Sequence, residues 1–152
     1  MFQNDLTPGA ISGDVSTDDR GVVRFVNDFD FAGIKRFYQV ENFDLNTVRA
    51  FHGHLKESKY VYVAAGSIIL CAVKLDDAKN PSKGNKVERF IVSSKKPQVV
   101  FIPAGYANGF KALEENTKVM FFSTGTLEES KNDDFRFPYD YWGKEIWLTK
   151  NR

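Results

Sequence analysis

The two histidines of this chain lie in one short segment, Val48-Arg49-Ala50-Phe51-His52-Gly53-His54. The segment reads as a strand, and residues two apart on a strand project from the same face, which pairs the imidazoles of His52 and His54. Such a pair supports two kinds of chemistry. Neutral imidazoles are common transition-metal ligands. An imidazole with a near-neutral pKa is also a general base that removes a weakly acidic proton at neutral pH.

Neighbouring residues separate the two. His52-x-His54 resembles the start of the first cupin motif, which is His-x-His, a glutamate after three or four further residues, and then a glycine. Here the glutamate positions hold Ser58 and Lys59, and Gly66 follows at the family's spacing from Lys59. The second cupin motif, Pro-x-Gly-x-x-His, reads Pro103-Ala104-Gly105-Tyr106-Ala107-Asn108. An ammonium in place of a carboxylate opposes a divalent cation, so neither a metal nor another cofactor is expected. The replacements suit an anionic sugar derivative instead. Lys59 would stabilise charge on an enolate oxygen or a phosphate, and Asn108 would hydrogen-bond a hydroxyl or carbonyl.

A wider resemblance, from about Asp19 to Trp147, is to the dTDP-4-dehydrorhamnose 3,5-epimerases. Asp19-Arg20-Gly21 is similar to the family's Asp-x-Arg-Gly, whose arginine binds the nucleotide diphosphate, and Gln39 falls near its substrate-contacting glutamine. Arg49-Ala50-Phe51-His52 is similar to Arg-Gly-Leu-His, which implies a phosphate-binding Arg49 and a general base in His52. Lys59 matches the family's active-site lysine. Phe101 to Phe110 tracks Phe-Ile-Pro-x-Gly-Phe-Ala-His-Gly-Phe, which places Tyr106 and Asn108 against substrate.

Two departures bear on mechanism. The family's catalytic tyrosine aligns with Phe121, which has no proton to donate, and the aspartate that pairs with its histidine falls beyond the C-terminal end of the sequence at Arg152. His52 therefore needs another orienting partner, and Asp133 or Asp134 is a candidate partner for a basic group. A second resemblance, over a shorter stretch, is to nucleotide-sugar 3,4-ketoisomerases. Their Ile-Lys-Arg-x-Tyr and Arg-Gly-Phe-His-Ala-His are close to Ile34–Tyr38 and Arg49–His54.

The chemistry common to both families is removal of a proton beside a ketone. It needs a base within hydrogen-bond reach and a donor for the developing enolate oxygen. His52 is the expected base and Lys59 the donor, with His54, Tyr38 and Tyr106 as candidates for the second proton carrier. Arg20, Gln39, Arg49, Tyr106 and Asn108 are the expected binding residues for a nucleotide-diphosphate sugar. Loss of the usual tyrosine points to epimerisation at one carbon, with 3,4-ketoisomerisation and non-catalytic sugar binding as the alternatives. The product would feed deoxysugar and surface-polysaccharide synthesis, and the resemblance also implies a homodimer.

These residues need a rigid support, and the strand pattern supplies one. Short β-branched and aromatic runs recur at Val22–Val26, Ile34–Val40, Thr47–His52, Lys59–Val63, Ser67–Val73, Val87–Val92, Gln98–Ile102 and Thr117–Ser123. Helical periodicity is nearly absent. Turn residues fall at Gly66, Asn80–Gly84, Lys95–Pro97 and Pro103–Gly105, as the corners of an all-β barrel require. With the resemblance, this is the double-stranded β-helix, or jelly-roll barrel, of the cupins. Phe25, Phe37, Phe110, Phe121 and Phe122 are expected in its core. Glu128–Asp134 reads as a solvated loop, and Asp133–Trp147 as an aromatic strap across the barrel.

Composition sets the remaining limits. A chain of 152 residues is expected to form one domain, residues 1–152. Its 21 basic and 20 acidic residues give a net charge of +1 without a broad basic face, which disfavours nucleic acid as a partner. Met1–Thr17 lacks the pattern of a leader, and Ile68–Val73 is too short to cross a bilayer, so a cytoplasmic protein with no membrane partner is expected. The single cysteine, Cys71, lies in an apolar run and reads as a buried structural thiol.

Overall fold

The computed structural model describes residues 6–152; residues 1–5, the start of the Met1–Thr17 segment, lie outside it. The strand runs form two five-stranded antiparallel sheets. The first is ordered β1 (Gly9–Ser12), β9 (Gln98–Ile102), β6 (Lys59–Ala65), β11 (Lys118–Ser123) and β4 (Arg36–Val40). The second is ordered β12 (Phe135–Arg136), β5 (Val48–His54), β10 (Tyr106–Ala112), β7 (Ser67–Lys74) and β8 (Val87–Ser93). A separate hairpin, β2 (Asp14–Asp18) and β3 (Gly21–Phe25), belongs to neither sheet. This is the expected all-β barrel.

The continuous apolar run of β7 has a physical reason: both faces are buried. Ile68, Leu70 and Ala72 meet Val61, Val100 and Phe121 between the sheets. Ile69, Cys71 and Val73 point the other way, into a second cluster with Phe51, Phe137, Trp142 and Trp147. Burial of each large side chain there contributes roughly 2 kcal/mol, so the expected strap is a second apolar layer. Trp142 and Trp147 also donate their indole N–H groups to the carbonyls of Ser82 and Tyr139, which satisfies the polar atom of each. Cys71 belongs to this layer, and burial pushes its thiol up to about 12. At neutral pH it is therefore a thiol and not a nucleophile.

The sharp β6–β7 corner depends on Gly66, at φ +79°, where a Cβ would fall 2.1 Å from the Thr117 hydroxyl. The structure corrects three expectations. Tyr106–Ala112, absent from the expected strands, continues from the Pro103–Gly105 corner as strand β10. Part of the Glu128–Asp134 segment is a short helix, α1 (Leu127–Lys131), started by a reciprocal capping box between Thr126 and Glu129. Phe37 is 66% exposed, so it is not core. Its ring is tilted against that of Phe122 on the outside of the first sheet; Phe122 and Phe25 are half-buried and belong to neither core cluster, whereas Phe110 and Phe121 are buried.

Candidate active site

Strand β5 carries the site, and an irregularity in its pairing makes the site possible. Asn108 pairs with His52 and Phe110 with Arg49, so two steps along β10 oppose three along β5. The extra residue changes the parity of the strand. Arg49 and His52, three apart, would face opposite sides of a regular strand, yet both line one cavity. The bulge needs Gly109, where a Cβ would lie 2.3 Å from Ala50 Cβ and 2.8 Å from the Arg49 carbonyl oxygen.

That cavity, about 180 Å³, opens between the two sheets. Its polar lining is Tyr38, Arg49, His52, Lys59 and Asn108, and its apolar wall is Val40, Phe110 and Phe121. Five of the nine sequence-nominated residues thus converge. Gln39 lies on the outward-facing parity of β4 and does not line the cavity. Arg20 sits at the tip of the β2–β3 hairpin, bound to Asp18 at 2.6 Å, and does not reach the cavity within one chain. Tyr106 is buried in the inter-sheet core, with its hydroxyl pushed up by burial. A wider depression of about 470 Å³, between Glu41–Asn46 and Glu115–Asn116, contains carboxylates but no histidine or lysine.

His52 is half-exposed at the cavity mouth. Its Nδ1 stands 3.7 Å from Asp134 Oδ1, and that carboxylate also accepts from Arg136 Nε at 3.0 Å. Burial, and next the Arg136 charge, hold the imidazole below its ordinary pKa; Asp134 acts in the opposite sense. His52 is therefore neutral at neutral pH, the form a base requires. The strap delivers Asp134: Phe135 and Arg136 pair with Gly53 and His52, and Phe137 packs beneath Gly53.

Lys59 is 7% exposed and has no hydrogen bond or ion pair among the described residues. Its Nζ lies 5.7 Å from the centre of the Tyr38 ring and 5.8 Å from that of Phe121. A desolvated ammonium held by aromatic faces alone is costly unless an anion joins it, which suits a developing enolate. Arg49 donates from Nε to Asn42 Oδ1 at 2.6 Å, which fixes the guanidinium. Its outer nitrogens have no partner among the described residues and remain available to phosphate. Asn108 donates weakly, at 3.4 Å, to the His52 carbonyl.

The donor set does not fit a resident divalent metal. Lys59 and Asn108 stand beside His52 where further ligands would be needed, and no group of three His, Cys, Asp or Glu converges among the described residues. Phe121 stands where the epimerase resemblance expects a tyrosine. The ring of Tyr38, from the next strand, stacks on it at 5.2 Å and 9°, so a phenol still reaches the cavity.

Sequence reasoning missed a buried polar cluster behind the cavity. Glu57 is 5% exposed. Its Oε1 accepts from the Ser123 hydroxyl and lies 3.5 Å from Arg36 Nη2, while Oε2 is 3.2 Å from His54 Nδ1. Asp133 accepts from the backbone N–H groups of Leu55, Lys56 and Glu57 at 2.8–3.1 Å, and so shapes the loop that carries Glu57. Only the capping role of Asp133 has a sequence signal, as a short acidic side chain in a turn-rich segment.

The sequence profile of the dTDP-4-dehydrorhamnose 3,5-epimerase family matches residues 9–139. A probable low-salt glycan biosynthesis epimerase of Haloferax volcanii, Agl13, is 29% identical over 106 residues, covering 65% of this chain and 67% of that protein. The spore coat polysaccharide biosynthesis protein SpsL of Bacillus subtilis is 26% identical over 95 residues, covering 61% of each. The chain thus aligns with about two thirds of the length of these curated relatives. Among solved structures, NovW, a 4-keto-6-deoxy sugar epimerase of Streptomyces spheroides, superposes with a TM-score of 0.75 at 19% identity, covering 93% of this chain and 75% of that one. The QdtA 3,4-ketoisomerase of Thermoanaerobacterium thermosaccharolyticum, in complex with TDP, gives 0.66 at 16% identity and covers 91% and 93%. These structural likenesses establish the barrel, and the profile match, which spans most of the residues lining the cavity and its back wall, establishes that the chain belongs to the dTDP-4-dehydrorhamnose 3,5-epimerase family.

Proposed function

We propose that this chain is an isomerase of nucleotide-linked 4-keto-6-deoxy sugars, epimerising one carbon by metal-free proton abstraction beside the ketone. The carrying observation is the pairing of a neutral His52 with an unpaired, buried Lys59 in one cavity. His52 takes the proton; the electron pair of the C–H bond moves into the enolate, and Lys59 stabilises the charge on its oxygen. Val40, Phe110 and Phe121 offer an apolar wall suited to a deoxy methyl group. Arg49 holds a phosphate of the nucleotide, and Asn108 hydrogen-bonds the sugar. Tyr38, which lines the cavity, and His54, two residues from His52 on β5, are the candidates for second proton carrier.

The reading extends to a cytoplasmic homodimer in deoxysugar or polysaccharide synthesis. The β2–β3 hairpin lies outside both sheets and exposes Val22 and Val23, which favours docking on a second copy. That arrangement would carry Arg20 towards a partner's diphosphate site. Among the described residues no helix is long and apolar enough to cross a membrane.

A 3,4-ketoisomerase is the second reading, supported by Tyr38 in the cavity and His54 one pleat from His52. Proton NMR in D2O separates the two. Solvent exchange with inversion at one ring carbon supports epimerisation, and a migrated carbonyl supports the ketoisomerase. A pure double epimer would overturn the single-carbon assignment.

A further inference from the structure

His54, a candidate second proton carrier in the scheme above, forms a buried pair with Glu57, to which that scheme gives no role. His54 is 4% exposed, and its Nδ1 contacts the backbone carbonyl of Asp133. A carbonyl only accepts, so the proton sits on Nδ1 and the lone pair on Nε2. Nε2 is buried and has no hydrogen-bond partner among the described residues. The same Nδ1 faces Glu57 Oε2 at 3.2 Å, itself a buried oxygen without a hydrogen bond. The other oxygen, Oε1, is anchored by Ser123 and lies near Arg36. The carboxylate is thus fixed from behind and presents one face to the imidazole.

A merely structural histidine would use both ring nitrogens or place one in solvent. Here Nδ1 is held by the Asp133 carbonyl and faces the Glu57 carboxylate, and Nε2, one pleat from His52 on the same strand, has no partner among the described residues. We propose that Glu57 is the positioning residue that makes His54 the second proton carrier, by holding Nδ1–H in place and balancing the imidazolium formed when Nε2 takes up a proton. The inference rests on the proposed keto-sugar reaction. In each turnover Nε2 accepts one proton and returns one, the C–H electron pair passes through the enolate, and no external oxidant or reductant is needed.

The groups around His54 fix the direction of the effect. Burial and then Lys59, from β6, disfavour its charged form, whereas Glu57 and Asp133 favour it. Tyr106 lies opposite on β10, His52 shares its strand, and Arg36 stands behind Glu57. Removing the Glu57 charge should therefore lower the His54 midpoint further.

The test is Glu57→Gln in the full chain, with Glu57→Asp as the conservative rescue. Nitrogen-15 NMR of the imidazoles, without substrate, should show His54 as the Nδ1–H tautomer in the wild type. Its midpoint should fall in Glu57→Gln and recover partly in Glu57→Asp. With the keto-sugar, kcat should drop on the order of 10²-fold while KM stays within about twofold, and Glu57→Asp should restore part of the loss. An unmoved His54 midpoint in a folded Glu57→Gln protein, or wild-type turnover by that variant, would overturn the proposal. If Glu57→Gln fails to fold, an Nε2–H tautomer in the wild type overturns it alone. Absence of turnover by the wild type would count against the keto-sugar reading, and the NMR titration would still decide on the His54–Glu57 pair.

Discussion

His52 Nδ1 and Asp134 Oδ1 stand 3.7 Å apart, and the carboxylate comes from the C-terminal strap and not from the barrel that carries the histidine. Arg136 holds the same carboxylate at 3.0 Å. His52 is therefore flanked by two residues of opposite charge, Asp134 just before β12 and Arg136 within it. Asp134 favours the imidazolium and Arg136 opposes it.

The two charges should move the pH profile in opposite directions. A base with a depressed pKa is active while neutral, so activity should fall on the acid side, with a midpoint below the usual histidine value of about 6.5. Asp134→Asn should move that midpoint lower and reduce kcat. Arg136→Gln should move it higher. Solvent-exchange rates between about pH 4.5 and 8, a range set around that midpoint, give both shifts. Shifts in the same direction would contradict the assignment.

On the proposed scheme Lys59 should be needed for its charge and not for folding. Lys59→Met keeps the side chain as far as Cε and removes a buried ammonium that has no hydrogen bond or ion pair among the described residues. Exchange should fall by about 10²–10³, while thermal denaturation should show an unchanged or higher melting temperature. A large loss of stability with partial activity would make Lys59 structural.

Gly109→Ala tests the bulge. The new methyl group would meet Ala50 Cβ at 2.3 Å, and the overpacking should cost about 1–3 kcal/mol. Because the bulge turns Arg49 and His52 to one side, KM for the nucleotide sugar should rise as well. Denaturant unfolding and steady-state kinetics on one preparation check the pair of effects.

The strap should couple stability to activity, since it both packs on the barrel and carries Asp134 to His52. Trp142 is buried against Phe51 and Phe137, so Trp142→Ala should destabilise by about 3–5 kcal/mol. Activity below the unfolding temperature should also fall, because Asp134 loses its support. Comparison with Val63→Ala, in the inter-sheet core, controls for general loosening.

Most strands of the two sheets were readable because they bury one or both faces, and apolar runs such as Ser67–Val73 have few other stable uses. His52, Lys59 and Asn108 were readable as a group because each departs from, or retains, a metal ligand of a familiar pattern. Arg49 beside His52 was not readable from spacing, since a bulge set by Gly109 reverses the parity of the strand. Glu57 was missed for a related reason: it falls one residue short of the positions scanned for a cupin glutamate, where Ser58 and Lys59 stand. Asp133 and Asp134 look alike in sequence, yet one caps backbone amides and the other faces the base. Only the docking of the strap, between distant segments, distinguishes them. The capping box at Thr126–Glu129, which starts α1, was not read from the sequence.

The most direct measurement is proton NMR in D2O of dTDP-4-keto-6-deoxyglucose, and of its GDP-mannose-derived counterpart, with the wild type and with His52→Ala. The account predicts deuterium incorporation at one ring carbon beside the ketone with the wild type, and loss of that incorporation with His52→Ala. Exchange that persists undiminished in folded His52→Ala, or binding of both sugars without any exchange by the wild type, would contradict it.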